Sequence, residues 1–435
     1  MSTLLRLATA GSVDDGKSTL VGRLLHDTKN VLVDQMAAVE RVSAERGLTA
    51  ADLALLTDGL RAEREQGITI DVAYRYFATE KRNFILADCP GHVQYTRNTV
   101  TGSSTADVIV LLVDARKGVL EQTRRHLAVA ALLRVPHVVV AVNKIDLLDY
   151  ESAPFAEVER QLEQLITELK LTNVHTIPVS ALAGDNIATR SARTPWYSGP
   201  ALLELLESLP SGEDPALENF RLPVQLVLRP QEAAVSPELV EYRGYAGQIS
   251  AGVVRPGDEV VVLPNGHRTT VVGIDTADGE LSEAFAPQSV TLRLADDIDI
   301  ARGDMIAAAA HAPEPTQDLD AMLCWLAEEQ LHPEARVLLK HTSRTVQAKI
   351  ERIHGRLDLE SLRDRPADYL SLNDIGRVRI KLARPVLAEP YELSRHGGAF
   401  LLVDALSGKT LAAGMVSSDV HPDALADAPT IEWEI

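Results

Sequence analysis

The chain has 435 residues, 46% of them hydrophobic and 24% charged, with a formal net charge of −19. That length exceeds one compact core and predicts two to four domains. The acidity excludes a broad phosphate-backbone footprint, a local basic patch aside, so no nucleic-acid partner is expected. The two cysteines, Cys89 and Cys324, lie far apart without metal-ligand spacing; this argues against structural zinc and fits a reducing compartment. No apolar run reaches transmembrane length, so no membrane partner is expected. The first strand starts too early to leave room for a signal peptide, and a cytoplasmic location is the expectation.

Residues 1–210 alternate strand-like apolar runs (4–10, 84–87, 108–113, 138–142, 176–179) with helical patterns such as 121–133 and 156–169. This predicts an α/β domain with a mostly parallel sheet covered by helices on both faces. Residues 31–66 interrupt the alternation with a charge-rich, helical-looking insertion. Residues 211–220, containing Ser211-Gly212-Glu213-Asp214-Pro215, are expected to be a linker. From 221 to 312, short β-branched runs separated by Arg255-Pro256-Gly257-Asp258 and Pro264-Asn265-Gly266 predict a small barrel. A second β-rich domain is expected over 313–435. Within it, Ser407-Gly408-Lys409-Thr410 imitates the end of a phosphate loop, but Val403 stands where the first glycine is required, and a hairpin turn is expected instead.

Gly11-Ser12-Val13-Asp14-Asp15-Gly16-Lys17-Ser18 fits G-x-x-x-x-G-K-[ST] between a strand and a helix. Glycines let backbone N–H groups turn inward on phosphate oxygens, and the helix start adds positive potential. Gly11, Ser12, Val13, Asp14, Asp15, Gly16, Lys17, Ser18 and Thr19 are therefore expected nucleotide contacts. Lys17 is expected to reach the β- and γ-phosphates, and Ser18 to ligate Mg²⁺. Asp88-Cys89-Pro90-Gly91 ends the strand at 84–87; Asp88 is expected on Mg²⁺ and Gly91 on the γ-phosphate. His92 follows where a water-orienting catalytic group is needed. In Glu63-Arg64-Glu65-Gln66-Gly67-Ile68-Thr69-Ile70, Thr69 is expected to complete the Mg²⁺ shell only with γ-phosphate present, which makes the segment a switch. Asn143-Lys144-Ile145-Asp146 closes another strand. The Asp146 carboxylate matches the N1–H and exocyclic amine of guanine, a donor pair adenine lacks. Ser180-Ala181-Leu182 follows the next strand, and its Ala181 amide is the expected reader of guanine O6. His26, His126, His137 and His175 are expected to be structural or surface residues.

Together these motifs resemble the elongation-factor-type GTPases, in which a nucleotide domain precedes two β-barrels, over nearly the whole chain. Longer strings narrow the resemblance. Asp114-Ala115-Arg116-Lys117-Gly118-Val119-Leu120-Glu121-Gln122-Thr123-Arg124-Arg125-His126, Asp71-Val72-Ala73-Tyr74-Arg75-Tyr76-Phe77, Gln94-Tyr95-Thr96-Arg97-Asn98, Trp196-Tyr197-Ser198-Gly199-Pro200 and Tyr242-Arg243-Gly244-Tyr245-Ala246-Gly247 resemble the large, GTP-hydrolysing subunits of bacterial sulfate adenylyltransferases. The resemblance implies GTP/GDP and Mg²⁺ as cofactors. It implies adenylyl sulfate formation with a smaller ATP-binding catalytic subunit, in a heterodimer or a higher assembly. No Ser-Gly-Gly-rich ATP loop and no second phosphate loop occur in this chain. The alternative is a translation factor delivering aminoacyl-tRNA. Against it stand Ser12, Asp15 and Gln66, at positions where those factors usually carry His, His and Arg.

Overall fold

The computed structural model describes residues 3–45, 51–56, 71–92, 96–212, 215–231, 240–358 and 363–418. By contacts it divides into two compact units, Met1–Gly212 with Asp358–Arg363, and Glu213–Leu357 with Asp364–Ile435.

Among its described residues the first unit holds six strands: β1 (Thr3–Gly11), β2 (Ala73–Ala78), β3 (Arg82–Asp88), β4 (Val108–Asp114), β5 (His137–Asn143) and β6 (Val174–Pro178). They lie in the order β2-β3-β1-β4-β5-β6. All neighbours run parallel except β2, which is antiparallel to β3. Every residue of β4 and β5 is buried, as continuous Val/Ile/Leu runs require when helices cover both faces. The helices are α1 (Lys17–Asp27), α2 (Val33–Glu45), α3 (Thr96–Ser103), α4 (Glu121–Leu132), α5 (Ser152–Glu168) and α6 (Leu202–Ser208). Helix α5 starts four residues before the expected 156, because Pro154 falls in the first turn, where its missing N–H leaves no bond unmade. Strand β2 lies beyond the 31–66 insertion and is not among the strand-like runs expected from the sequence. Its burial alternates strictly, but the exposed face carries Tyr74 and Tyr76 and the less exposed face Arg75, so hydropathy does not follow it; Phe77 stacks on Phe84 at 4.6 Å and anchors it. Strand order reverses at β1, so the crevice beyond the carboxyl ends of β1, β3, β4 and β5 is where this topology holds a ligand.

The second unit contains two antiparallel β-barrels. One sheet path runs 221–223, 305–308, 259–263, 267–276, 289–294, 244–248 and 226–228, around a core including Leu222, Tyr245, Val260, Ile274 and Leu292. The other runs 336–341, 399–403, 410–416, 316–325, 375–386 and 344–358, and closes because 344–358 also pairs with 336–341. Leu323, Leu339, Ile350, Ile380 and Leu402 fill it. Arg221, 4% exposed, joins the barrels with Nε and Nη2 on the Glu389 carboxylate at 3.2 and 2.9 Å. Ser407-Gly408-Lys409 is a hairpin turn: Asp404 N–H donates to the Lys409 carbonyl at 2.9 Å, and Gly408 takes φ 72°.

Candidate functional site

Strand β1 delivers Gly11 to the sheet edge, and the chain turns back into α1 within five residues. Gly16 caps α1 at φ 97°, a conformation that favours glycine, and a Cβ there would meet the Asn143 side chain at 2.5 Å. The loop is braced from inside. Lys17, 7% exposed, donates Nζ to the carbonyls of Gly11 at 2.8 Å and Ser12 at 2.7 Å. Asp15 accepts the Ser12 N–H at 2.7 Å through Oδ2. Burial raises the Asp15 pKa, against the pull of that amide and of Lys17. Burial also lowers the Lys17 pKa, while Asp15 and Asp88 act the other way.

Asp88 ends β3 beside this loop, and its Oδ1 accepts the Thr9 hydroxyl at 2.8 Å. The Cys89 N–H donates to the same Thr9 oxygen at 3.2 Å, so Thr9 fixes the strand end. Cys89 is fully buried, and burial raises its thiol pKa, leaving an inert packing group. Gly91 is a cradle: a Cβ on it would strike Lys17 Nζ and come within 2.7 Å of the Gly11 carbonyl. His92 follows, half-buried. Thr69 and the rest of the expected switch lie outside the described residues, as do Gln94 and Tyr95.

On the base side, Asn143 is a cross-brace. Its Nδ2 donates to the Asp15 carbonyl at 2.7 Å and its Oδ1 accepts the Ala181 N–H at 2.9 Å. Lys144, at φ 67°, donates Nζ to the Asp14 carbonyl and lies 3.1 Å from Asp114 Oδ2. Asp114 also takes the Arg116 guanidinium through both oxygens, at 2.9 and 2.6 Å, and these bonds hold its carboxyl well below the usual range against burial. Within Asn143-Lys144-Ile145-Asp146, then, two side chains tie loops together, and Asp146 lies half-buried in the turn Ile145–Leu148. One expectation is corrected. The Ala181 amide is not directed at a base, because Asn143 accepts it in a buried bond. Ala183 N–H goes to Ser180 Oγ at 3.1 Å.

The arrangement suits a nucleotide. Ser12 Oγ and Asp15 Oδ1 are buried without partners among the described residues, and the Gly91 cradle leaves room beside the Lys17 ammonium. Among the described residues no cluster of three or more His, Cys, Asp or Glu forms a metal cage. The donors on hand, the Ser18 hydroxyl in the first turn of α1 and the Asp88 carboxylate, are the sparse oxygen set that Mg²⁺ combines with phosphate and water.

His126, expected from the sequence to be structural or surface, is a buried structural residue. It is on α4, 2% exposed, and lies against the backbone of Gly11. Burial, with the Lys17 and Arg125 cations, lowers its pKa to about 3. The unfolded chain therefore binds the extra proton first, and stability falls as pH drops below about 6.5. Unfolding free energy should lose about 2 kcal/mol from this group between pH 7.5 and 5. Denaturant titrations at both pH values check this; the His126→Gln variant should show a correspondingly shallower pH dependence. Its signal in the sequence was present but ambiguous: a histidine on the apolar face of a helix.

A phosphate loop, an Asp-x-x-Gly strand end and an Asn-Lys-x-Asp turn on one edge of a parallel sheet, with two barrels in the same chain, define an elongation-factor-type GTP-binding protein. The family model described as elongation factor Tu GTP binding domain matches residues 2–214, and the one described as GTP-eEF1A C-terminal domain-like matches 318–417. The chain is 45% identical to sulfate adenylyltransferase subunit 1 of Alteromonas mediterranea, covering 99% of this chain and 91% of that one. It is 48% identical to the protein of the same name from Chromobacterium violaceum, over 99% and 90%. It is 53% identical to the bifunctional enzyme CysN/CysC of Mycobacterium tuberculosis, over 97% of this chain and 68% of that one. The chain belongs to the sulfate adenylyltransferase subunit 1 family. No helix among the described residues is long and apolar enough to cross a membrane.

Proposed function

We propose that this chain is the GTP-hydrolysing subunit of a cytoplasmic sulfate adenylyltransferase, and that it drives a smaller ATP-binding partner to make adenylyl sulfate and pyrophosphate from ATP and sulfate. The observation that carries the reading is the braced crevice at the sheet edge, in a chain spanning nine-tenths of relatives named subunit 1. The loop from Gly11 to Ser18 and Thr19 holds the phosphates, with Lys17 at their outer end. Mg²⁺, held by Ser18, Asp88 and Thr69, supplies charge neutralisation at the phosphates when bound. Asp146 accepts from guanine N1–H and its amine, and Leu182 N–H donates to O6. His92 orients the attacking water.

Forming a phosphosulfate anhydride is strongly uphill, and GTP hydrolysis offsets it only if each subunit senses the other's ligands; for binding this sensing is reciprocal. Adding the smaller subunit with ATP and sulfate should therefore raise GTP turnover well above that of the isolated chain. Unchanged turnover in a verified complex would remove the coupling.

A further inference from the structure

Arg23 lies on the outer turns of α1, away from the phosphates, yet it is spent on the base side of the site. Its Nε donates to the Ala181 carbonyl at 3.3 Å and its Nη2 to the Leu182 carbonyl. Asp27, one helical turn on, stands 3.6 Å from its Nη1 and steadies the guanidinium. The Arg23 side chain is only 19% exposed. A planar guanidinium presents Nε and Nη2 in a fixed fork, so it holds the two successive carbonyls in one orientation, which a freely rotating ammonium does less rigidly.

The peptide plane gives this contact a consequence. The Ala181 carbonyl and the Leu182 N–H belong to one trans peptide, so they point in opposite directions. Holding the carbonyl toward α1 aims the Leu182 N–H away from it. Asn143 fixes the preceding plane by taking the Ala181 N–H at 2.9 Å. We infer that Arg23 is a positioning residue for base recognition: by clamping the Ala181 and Leu182 carbonyls, it aims the Leu182 amide at the 6-oxo group of the purine. The inference rests on the guanine-reading site proposed above. It makes that reading depend on the helix that begins at Lys17 and Ser18.

The test separates the two edges of the base. Sulfur accepts hydrogen bonds poorly, so 6-thio-GDP challenges the Leu182 amide while keeping N1–H and the 2-amine for Asp146. IDP lacks the 2-amine and challenges Asp146 while keeping O6. Dissociation constants for GDP, 6-thio-GDP, IDP and ADP are measured on the full chain and on Arg23→Ala and Arg23→Lys. In Arg23→Ala the preference for GDP over 6-thio-GDP should fall about tenfold, the scale of one hydrogen bond, with the preference over IDP unchanged. Arg23→Lys should lie between, since an ammonium keeps donors for the carbonyls but lacks the fixed fork that orients them. A preference over 6-thio-GDP that survives in Arg23→Ala overturns the inference, as does a parallel loss of both preferences, which a merely structural arginine gives. Wild-type protein that binds ADP as tightly as GDP would overturn the guanine reading itself, a separate failure.

Discussion

Asp146→Asn should weaken GTP by roughly a hundredfold or more and shift preference toward xanthosine triphosphate. The size follows from the chemistry of the lost contact. In the proposed site a half-buried carboxylate accepts two N–H groups from one base edge, and losing a charged hydrogen bond would leave donors desolvated and unpaired. Asparagine presents a donor where guanine also presents one; xanthine, with an oxygen at C2, accepts it instead. The neighbouring side chains do not provide a substitute. Asn143 is committed to Asp15 and Ala181, and Lys144 to Asp14 and Asp114. Competition titrations with GTP, XTP and ATP measure the shift. In the wild type, guanine nucleotides should bind at least about a hundredfold tighter than adenine nucleotides.

The second large effect is on turnover. His92→Ala should keep GTP affinity and lose partner-stimulated hydrolysis by about a hundredfold or more, the range for a positioned group acting on the attacking water. Such a group stabilises only the transition state, so kcat falls while binding holds. Lys17→Ala provides the contrast. It removes a charge from the phosphates in ground and transition states alike, and it also breaks the bonds to the Gly11 and Ser12 carbonyls. Binding and turnover should fall together. A His92→Ala variant that hydrolyses GTP at the wild-type rate would move the water-orienting role to another residue.

Much of the site was legible because its motifs combine fixed spacing with position at strand ends. Gly11, Asp88 and Asn143 each close a strand of one sheet, as the apolar runs before them predict. The hairpin at Ser407-Gly408-Lys409 was equally legible, from the missing first glycine. What sequence did not reveal is mostly hydrogen-bond bookkeeping across the fold. Nothing in the spacing of Ala181 shows that Asn143, 38 residues away, takes its N–H, or that Arg23 takes its carbonyl from 158 residues away. Edge strand β2 escaped because its exposed face carries Tyr74 and Tyr76 while Arg75 lies on the more buried face, so hydropathy does not follow burial. His126 was read as structural or surface, but an apolar helix face does not by itself show that its imidazole is fully enclosed.

The central claim is that GTP hydrolysis by this chain drives the partner's reaction. The most direct measurement is adenylyl sulfate formed by the complex of both subunits with ATP and sulfate, under three conditions: with GTP, with a non-hydrolysable GTP analogue, and with neither. Adenylyl sulfate should accumulate beyond its unassisted equilibrium only with GTP, while the analogue supports assembly without net accumulation. Equal product levels in all three conditions would contradict the account and leave the chain a passive scaffold.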